Sequence, residues 1–247
     1  MGDDELLDLL HRTATAVRES LVGLGDWGLE GASSHQYHHD VVSDAAALSV
    51  LDDAGVGVLS EESGVRRPAA PITVVVDPVD GSTNASRGVP WWNTSLCAVD
   101  ADGPRAAVVA DQVHGVRFEA VRGGGARRDG VTIRPTGCDA LREAFIGLSG
   151  FPPRYLGWSQ YRTLGAAALD LCAVACGVLD GYMDCSRRGH GPWDYLGGLL
   201  VCREAGALVA DADGDELVTI GHADRRTPVA AATPALLDAL LTARRGF

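Results

Sequence analysis

The stretch Ile72-Thr73-Val74-Val75-Val76-Asp77-Pro78-Val79-Asp80-Gly81-Ser82-Thr83-Asn84 joins a β-branched run to a turn rich in oxygen donors. Ile72–Val76 predicts a buried strand that ends at Asp77-Pro78. An Asp, a rigid Pro and a second Asp three residues on can place both carboxylates on one side of a tight turn. Carboxylates that close repel, and each raises the other's pKa unless a cation lies between them. Oxygen-only ligands select Mg²⁺ or Mn²⁺ over Zn²⁺. Gly81-Ser82-Thr83 then offers backbone N–H groups where a helix can begin, a ready phosphate site. Acids that hold a metal beside an anion-binding helix start suggest phosphoryl hydrolysis. Taken alone, Asp-Pro-x-Asp-Gly also reads as a capped surface turn.

Two further acidic sites accompany it. Ser60-Glu61-Glu62-Ser63-Gly64 follows the short apolar run Val56–Leu59, and Trp193-Asp194 opens a helix predicted over Trp193–Ala205 and closed by Gly206. Working outward, residues 3–24 predict an amphipathic helix, and Ser43 or Asp44 can cap a second helix through Leu51. A Gly/Ser/His-rich loop lies between them, from Gly25 to His39. Strands are expected at 94–99, 105–112, 115–121, Phe145–Leu148, Leu208-Val209 and Val229–Ala232. A short helix is expected near Asp139, a buried helix over Gly165–Leu179, a loop over Tyr182–Pro192 and a last helix over 234–245. Strands cluster before Pro135 and alternate with helices after it. The pattern predicts an α/β (α+β) protein with two sub-domains, residues 1–135 and 136–247, and a cleft between them.

Composition narrows the chemistry. The chain has 247 residues and a net charge of −12, and its 21 cations are all arginine. Without lysine there is no Schiff base, P-loop lysine or lysine general base. The acidic balance argues against nucleic acid held by non-specific charge. No apolar run approaches a membrane span, and the acidic start Met1-Gly2-Asp3-Asp4-Glu5 lacks the basic, then apolar, pattern of a secretory signal, so a cytoplasmic protein is expected. The six cysteines form no CxxC pair and read as small buried residues.

Glu61-Glu62-Ser63, Asp77-Pro78-Val79-Asp80-Gly81-Ser82-Thr83-Asn84 and Trp193-Asp194 with Glu204-Ala205-Gly206 resemble, in order and spacing, the three signatures of the inositol monophosphatase family. The resemblance runs from the first helix to Leu241. It implies a layered αβαβα sandwich and a Mg²⁺-dependent phosphatase, with Mn²⁺ as a possible substitute. It implies that Glu61, Asp77 and the carbonyl of Val79 hold one metal, that Asp77, Asp80 and Asp194 hold a second, and that Glu61 can reach a weaker third. It implies attack by a metal-activated water, oriented and deprotonated by Glu61 and Ser82 with Asp44 behind the hydroxyl. Gly81 and Ser82 would bind phosphate oxygens. On the substrate side it implies Asp80, Ala167 and Asp184. A homodimer and lithium sensitivity are family expectations.

The chain also departs from the pattern. Ser60 stands where Gly is usual, Ser82 where Thr is commoner, and Tyr195-Leu196 follow Trp193-Asp194 in place of small residues. The stretch around Asp40–Asp44 is two residues shorter than expected. The loop Cys185–Pro192 is longer, and its Arg187 and Arg188 suit a second phosphate or carboxylate on the substrate, or else form a solvated loop. His35-Gln36-Tyr37-His38-His39 reads as a flexible polar loop before a transition-metal site. Trp91-Trp92 reads as core or an inter-subunit contact before a stacking platform. The substrate is then a small phosphate ester. An inositol or sugar phosphate leads, with a 3′(2′),5′-bisphosphate nucleotide, fructose 1,6-bisphosphate or histidinol phosphate as alternatives. A non-catalytic interaction protein on the same scaffold is the alternative from another class.

Overall fold

A computed structural model of the chain describes residues 1–25, 27–29, 37–245 and 247. The described elements stack in five layers, helix, sheet, helix, sheet, helix, which is the expected αβαβα sandwich. The outer layer is α1 (Asp3–Leu21) and α2 (His38–Asp53). Beneath it lies an eight-stranded sheet built from β1 (Gly57–Ser60), β2 (Gly64–Arg66), β3 (Thr73–Asp80), β4 (Asn93–Asp100), β5 (Gly103–Asp111), β6 (Arg117–Val121), β7 (Gly125–Arg128) and β8 (Val131–Thr132). Its order is β2-β1-β3-β4-β5-β6-β7-β8, antiparallel except between β1 and β3. The short helix α3 (Ser82–Arg87) follows β3 directly.

The middle layer is α4 (Ala167–Ala175) and α5 (Pro192–Ala205). Below it, β9 (Phe145–Ser149), β10 (Gln160–Arg162), β11 (Gly181–Asp184), β12 (Leu208–Asp211) and β13 (Pro228–Ala231) form a second sheet in the order β10-β9-β11-β13-β12. Helix α6 (Pro234–Arg244) covers its far face. Among the described residues no helix is long and apolar enough to cross a membrane.

The strand periodicity accounts for the layering. Val74 and Val76 face the core under α1 and α2, while Val75 between them faces the core shared with α4 and α5. Leu96, Ala98, Val108 and Ala110 join the first core, and Cys97, Val99, Ala107 and Val109 the second. Both faces of the central strands are apolar, so the sheet must be covered on both sides. The close crossing of α4 and α5 depends on Gly198, where a Cβ would sit 2.6 Å from Leu171 Cβ and 2.9 Å from the Ala168 carbonyl oxygen.

Several expectations change. Strand β3 does not stop at Asp77-Pro78: it runs to Asp80, with a register shift against β4 between Asp77 and Asp80. Proline, lacking an N–H, is tolerated where the ladder is interrupted. Helix α2 begins at His38, not Ser43, so part of the expected Gly25–His39 loop is helical. Part of the expected Tyr182–Pro192 loop is strand β11. The feature near Asp139 is a 3-10 turn over Leu141–Glu143.

Candidate active site

The irregular end of β3 carries Asp77 and Asp80 into the region where the first sheet meets the start of α5. Asp77 Oδ1 accepts the Val79 N–H at 3.0 Å, which folds the backbone around the carboxylate. Glu61 follows the last residue of β1, its N–H bonded to the Val76 carbonyl at 3.2 Å. Asp194 lies in the first turn of α5 and its Oδ2 accepts the Gly191 N–H at 2.6 Å. Glu61, Asp77 and Asp194 each offer one carboxylate oxygen, and these three oxygens lie within 4.8 Å of one another.

Such crowding is costly for like charges in a buried place. Burial, then the Asp194 and Glu62 carboxylates, push Glu61 up to about 8. Burial, then Glu61 and Asp80, hold Asp77 well above the ordinary carboxylate range. A hard divalent cation relieves that repulsion, and a donor set of carboxylate oxygens suits Mg²⁺ or Mn²⁺.

Asp80 is turned toward the second half of the chain. Its Oδ1 accepts the Ala167 N–H at 3.2 Å, and its Oδ2 accepts the Ala168 N–H at 2.9 Å and Asn93 Nδ2 at 2.8 Å. It thereby fills the start of α4. Burial, with Asp194 nearby, raises it to about 7. Each carboxylate oxygen has two lone pairs, so these bonds leave acceptor capacity for another ligand. At Gly81, φ is +95°, and a Cβ there would crowd Trp92 Cβ, Ala166 Cβ and the Trp91 carbonyl. That turn throws the chain into α3, whose first N–H groups have no partner within the helix.

The expected place of Asp44 needs correcting. The carboxylate behind the Ser82 hydroxyl is Asp40, whose Oδ1 accepts Ser82 Oγ at 2.8 Å. Ser82 Oγ also lies 2.8 Å from the Val79 carbonyl oxygen. Asp44, one turn further along α2, accepts Ser60 Oγ at 2.5 Å instead. Burial raises the pKa of Asp40, against the pull of neighbouring His39.

On the substrate side, Asp184 is fully buried: its Oδ1 accepts both the N–H (2.8 Å) and the Oγ (2.5 Å) of Ser186. The two loop arginines are not gathered into the site. Arg188 pairs with Asp215 at 2.7 Å on the surface, and Arg187 is exposed. The cation that does enter is His190. Its ring lies 3.5 Å from Asp194, 3.6 Å from Asp184 and 3.2 Å from the Tyr182 hydroxyl. Burial works against its charge, but Asp194 and Asp184 outweigh it and hold the imidazole at about 9. His190 was legible only as one more polar residue of a long loop. Exposed His222 comes from the distant 212–227 segment, 3.3 Å from the Glu61 carbonyl oxygen and 5.0 Å from the Trp193 ring. No spacing pattern announces it.

Of the histidine run, His35 and Gln36 lie outside the described residues. His39 is buried, 5.1 Å from the Tyr37 ring and 5.0 Å from that of Trp27. Trp91 packs against the central core and donates Nε1–H to Asp170 at 2.8 Å, while Trp92 meets Trp27 edge-on.

With this geometry in view, the sequence pattern that defines the inositol monophosphatase family matches residues 35–246. The chain belongs to the inositol monophosphatase family. A fructose-1,6-bisphosphatase of Pyrococcus furiosus is 32% identical over 206 residues, 82% of this chain and 81% of that protein. Nus factor SuhB of Pasteurella multocida is 30% identical over 232 residues, 86% and 83% of the two chains. Among solved structures, a Pyrococcus horikoshii protein described as similar to inositol-1 monophosphatase superposes with a TM-score of 0.89 at 27% identity, covering 98% of this chain and 99% of that one.

Proposed function

We propose that this family member is a Mg²⁺-dependent phosphomonoesterase that hydrolyses a small phosphorylated metabolite, an inositol or sugar phosphate, by direct attack of water. The observation that carries the reading is the meeting of Glu61, Asp77 and Asp194 within 4.8 Å, beside a serine hydroxyl backed by Asp40. Glu61, Asp77, Asp80, Asp194 and the Val79 carbonyl are the groups that would hold two or three cations. When bound, Mg²⁺ supplies charge neutralisation on the phosphoryl oxygens and lowers the pKa of a nearby water.

The chain's own groups do the rest. Ser82 Oγ stands 2.8 Å from both Asp40 Oδ1 and the Val79 carbonyl oxygen; its one proton goes to one of these acceptors, and a remaining lone pair can orient the attacking water. Glu61 is placed to accept that water's proton. The N–H groups of Gly81 and Ser82 bind phosphate oxygens. His190, held between Asp184 and Asp194, fixes the substrate-side wall, and Asp184 and Ala167 stand on that wall with Asp80. Residues 1–135 supply the cation site and 136–247 close it with Asp194. A homodimer in the cytoplasm is the setting that goes with this reading.

The fructose-1,6-bisphosphatase name of one relative supports a sugar phosphate, while Arg187 and Arg188, which stay on the surface, add nothing to that reading. A second reading, a non-catalytic interaction protein, draws on the relative named Nus factor SuhB. Phosphate release tests the two. The panel is inositol 1-phosphate, fructose 1,6-bisphosphate, adenosine 3′,5′-bisphosphate, histidinol phosphate and simple sugar phosphates, with and without Mg²⁺. The expected result is Mg²⁺-dependent turnover of an inositol or sugar phosphate. No release from any ester, together with no Mg²⁺ binding by calorimetry, overturns the phosphatase and leaves the interaction protein.

A further inference from the structure

Helix α2 touches the site twice. Asp40 and Asp44 are four residues apart on its buried stripe, in line with Ala47, Leu48 and Leu51. Carboxylates in such a stripe must be hydrogen-bonded to be tolerated. Asp40 answers this at Ser82. Asp44 answers it at Ser60, across 2.5 Å. Ser60 is fully buried, is the last residue of β1 and immediately precedes Glu61.

A serine hydroxyl has one proton and two lone pairs. At Ser60 the proton goes to Asp44, while the oxygen accepts the Glu62 N–H at 3.1 Å and lies 3.5 Å from the Ser63 N. The Ser60 oxygen is therefore the hub between a helix carboxylate and the backbone of the Glu61-Glu62-Ser63 turn. A glycine at 60 would leave the carboxylate and both amides without it.

We propose that Asp44 and Ser60 are positioning residues for Glu61: the pair fixes the backbone turn that aims the Glu61 carboxylate at Asp77 and Asp194. Helix α2 is then the common frame of the two halves of the site, setting Ser82 through Asp40 and Glu61 through Asp44. The proposal rests on reading Glu61 as a cation ligand. Groups that orient ligands in this way typically change metal affinity about 10–100-fold when removed.

Two measurements test it. In the metal-free protein, amide hydrogen exchange at Glu62 is expected to speed up in Ser60→Ala and in Asp44→Ala, with exchange in β3, β4 and β5 unchanged. By calorimetry, each variant is expected to bind Mn²⁺ about tenfold more weakly, at the low end of that range. The double variant is expected to be no weaker than the weaker single one, because both act through one link. Asp44→Asn keeps an acceptor oxygen for Ser60 and is expected to restore most of the affinity lost in Asp44→Ala. Unchanged Glu62 exchange in Ser60→Ala, or losses that simply add, overturns the proposal. If the parent protein binds no Mn²⁺, the cation-site reading fails instead, and Glu62 exchange still decides whether the Asp44–Ser60 link holds the turn. Should Asp44→Ala not fold, Ser60→Ala against Asp44→Asn carries the same comparison.

Discussion

Asp77→Asn separates the charge of the site from its shape. The side-chain oxygen that accepts the Val79 N–H survives in asparagine, so the backbone fold around position 77 is retained. What disappears is one carboxylate, the buried member of a cluster whose other two acids are partly exposed. Cation assistance in phosphoryl transfer is worth several kcal/mol, so Mg²⁺-dependent turnover is expected to fall at least about a hundredfold. The metal-free variant is expected to melt no lower than the parent, since repulsion with Glu61 and Asp80 is relieved. Phosphate-release kinetics and scanning calorimetry check both halves, and turnover within tenfold of the parent would remove Asp77 from the cation site. The residues of this cluster could be read from the sequence because each stands next to a recognisable element end. The carboxylate behind Ser82 could not. Asp40 and Asp44 share one helical face, spacing alone cannot choose between them, and a helix start placed at Ser43 left Asp40 outside the helix. His222 reaches Glu61 from 161 positions away, a distance no local pattern encodes.

At the scale of elements, the Glu204-Ala205-Gly206 signature explains itself. Gly206 ends α5 with φ +95°, and Glu204 reaches back to accept the Gly123 N–H at 2.9 Å and the Gly125 N–H at 3.0 Å. One carboxylate thus ties the α5 terminus to the β6–β7 hairpin, and hydrogen bonds to charged groups contribute about 1.5–3 kcal/mol when well sheltered. Glu204 is half-buried, so Glu204→Ala is expected to cost about 1–2 kcal/mol, measured by urea unfolding with an unchanged slope. A loss near zero would mean the hairpin turn holds itself. The strong elements were legible for the same kind of reason: α1, β3, β4, β5 and α6 show clear periodicity or a β-branched run. Strands β2, β8 and β10 were not, because they span only two or three residues and are largely exposed, so no alternation marks them. Strand β11 hid in Gly181–Asp184, whose four residues are all buried and so show no polar alternation.

The whole molecule gathers its acids where its layers meet: Glu61 and Asp77 come from the first sheet, Asp194 from the middle helix layer, and Asp80 caps α4 across the join. The fold therefore carries an electrostatic cost that depends on pH. Glu61 moves from an ordinary 4.5 up to about 8, and Asp80 from 3.8 up to about 7, both chiefly through burial. In the metal-free protein these carboxyls keep protons that the unfolded chain has already released. The folded state thus binds more protons between about pH 4 and 8, and stability must fall as pH rises through that window. His190 acts in the same direction at the alkaline end. Raised from 6.5 to about 9, its contribution is complete below the lower value and is lost as pH passes the upper one. The expected outcome is a melting temperature of the metal-free protein that declines from about pH 5 to about pH 8, with a shallower decline in Glu61→Gln, which has no proton to lose there. Excess Mg²⁺ near pH 8 is expected to lift the parent's melting temperature by mass action, far more than that of Glu61→Gln. A parent whose melting temperature is flat or rising across that range, with the same slope in Glu61→Gln, would mean that the clustered acids are not protonated in the folded chain and that their repulsion is relieved by some other means.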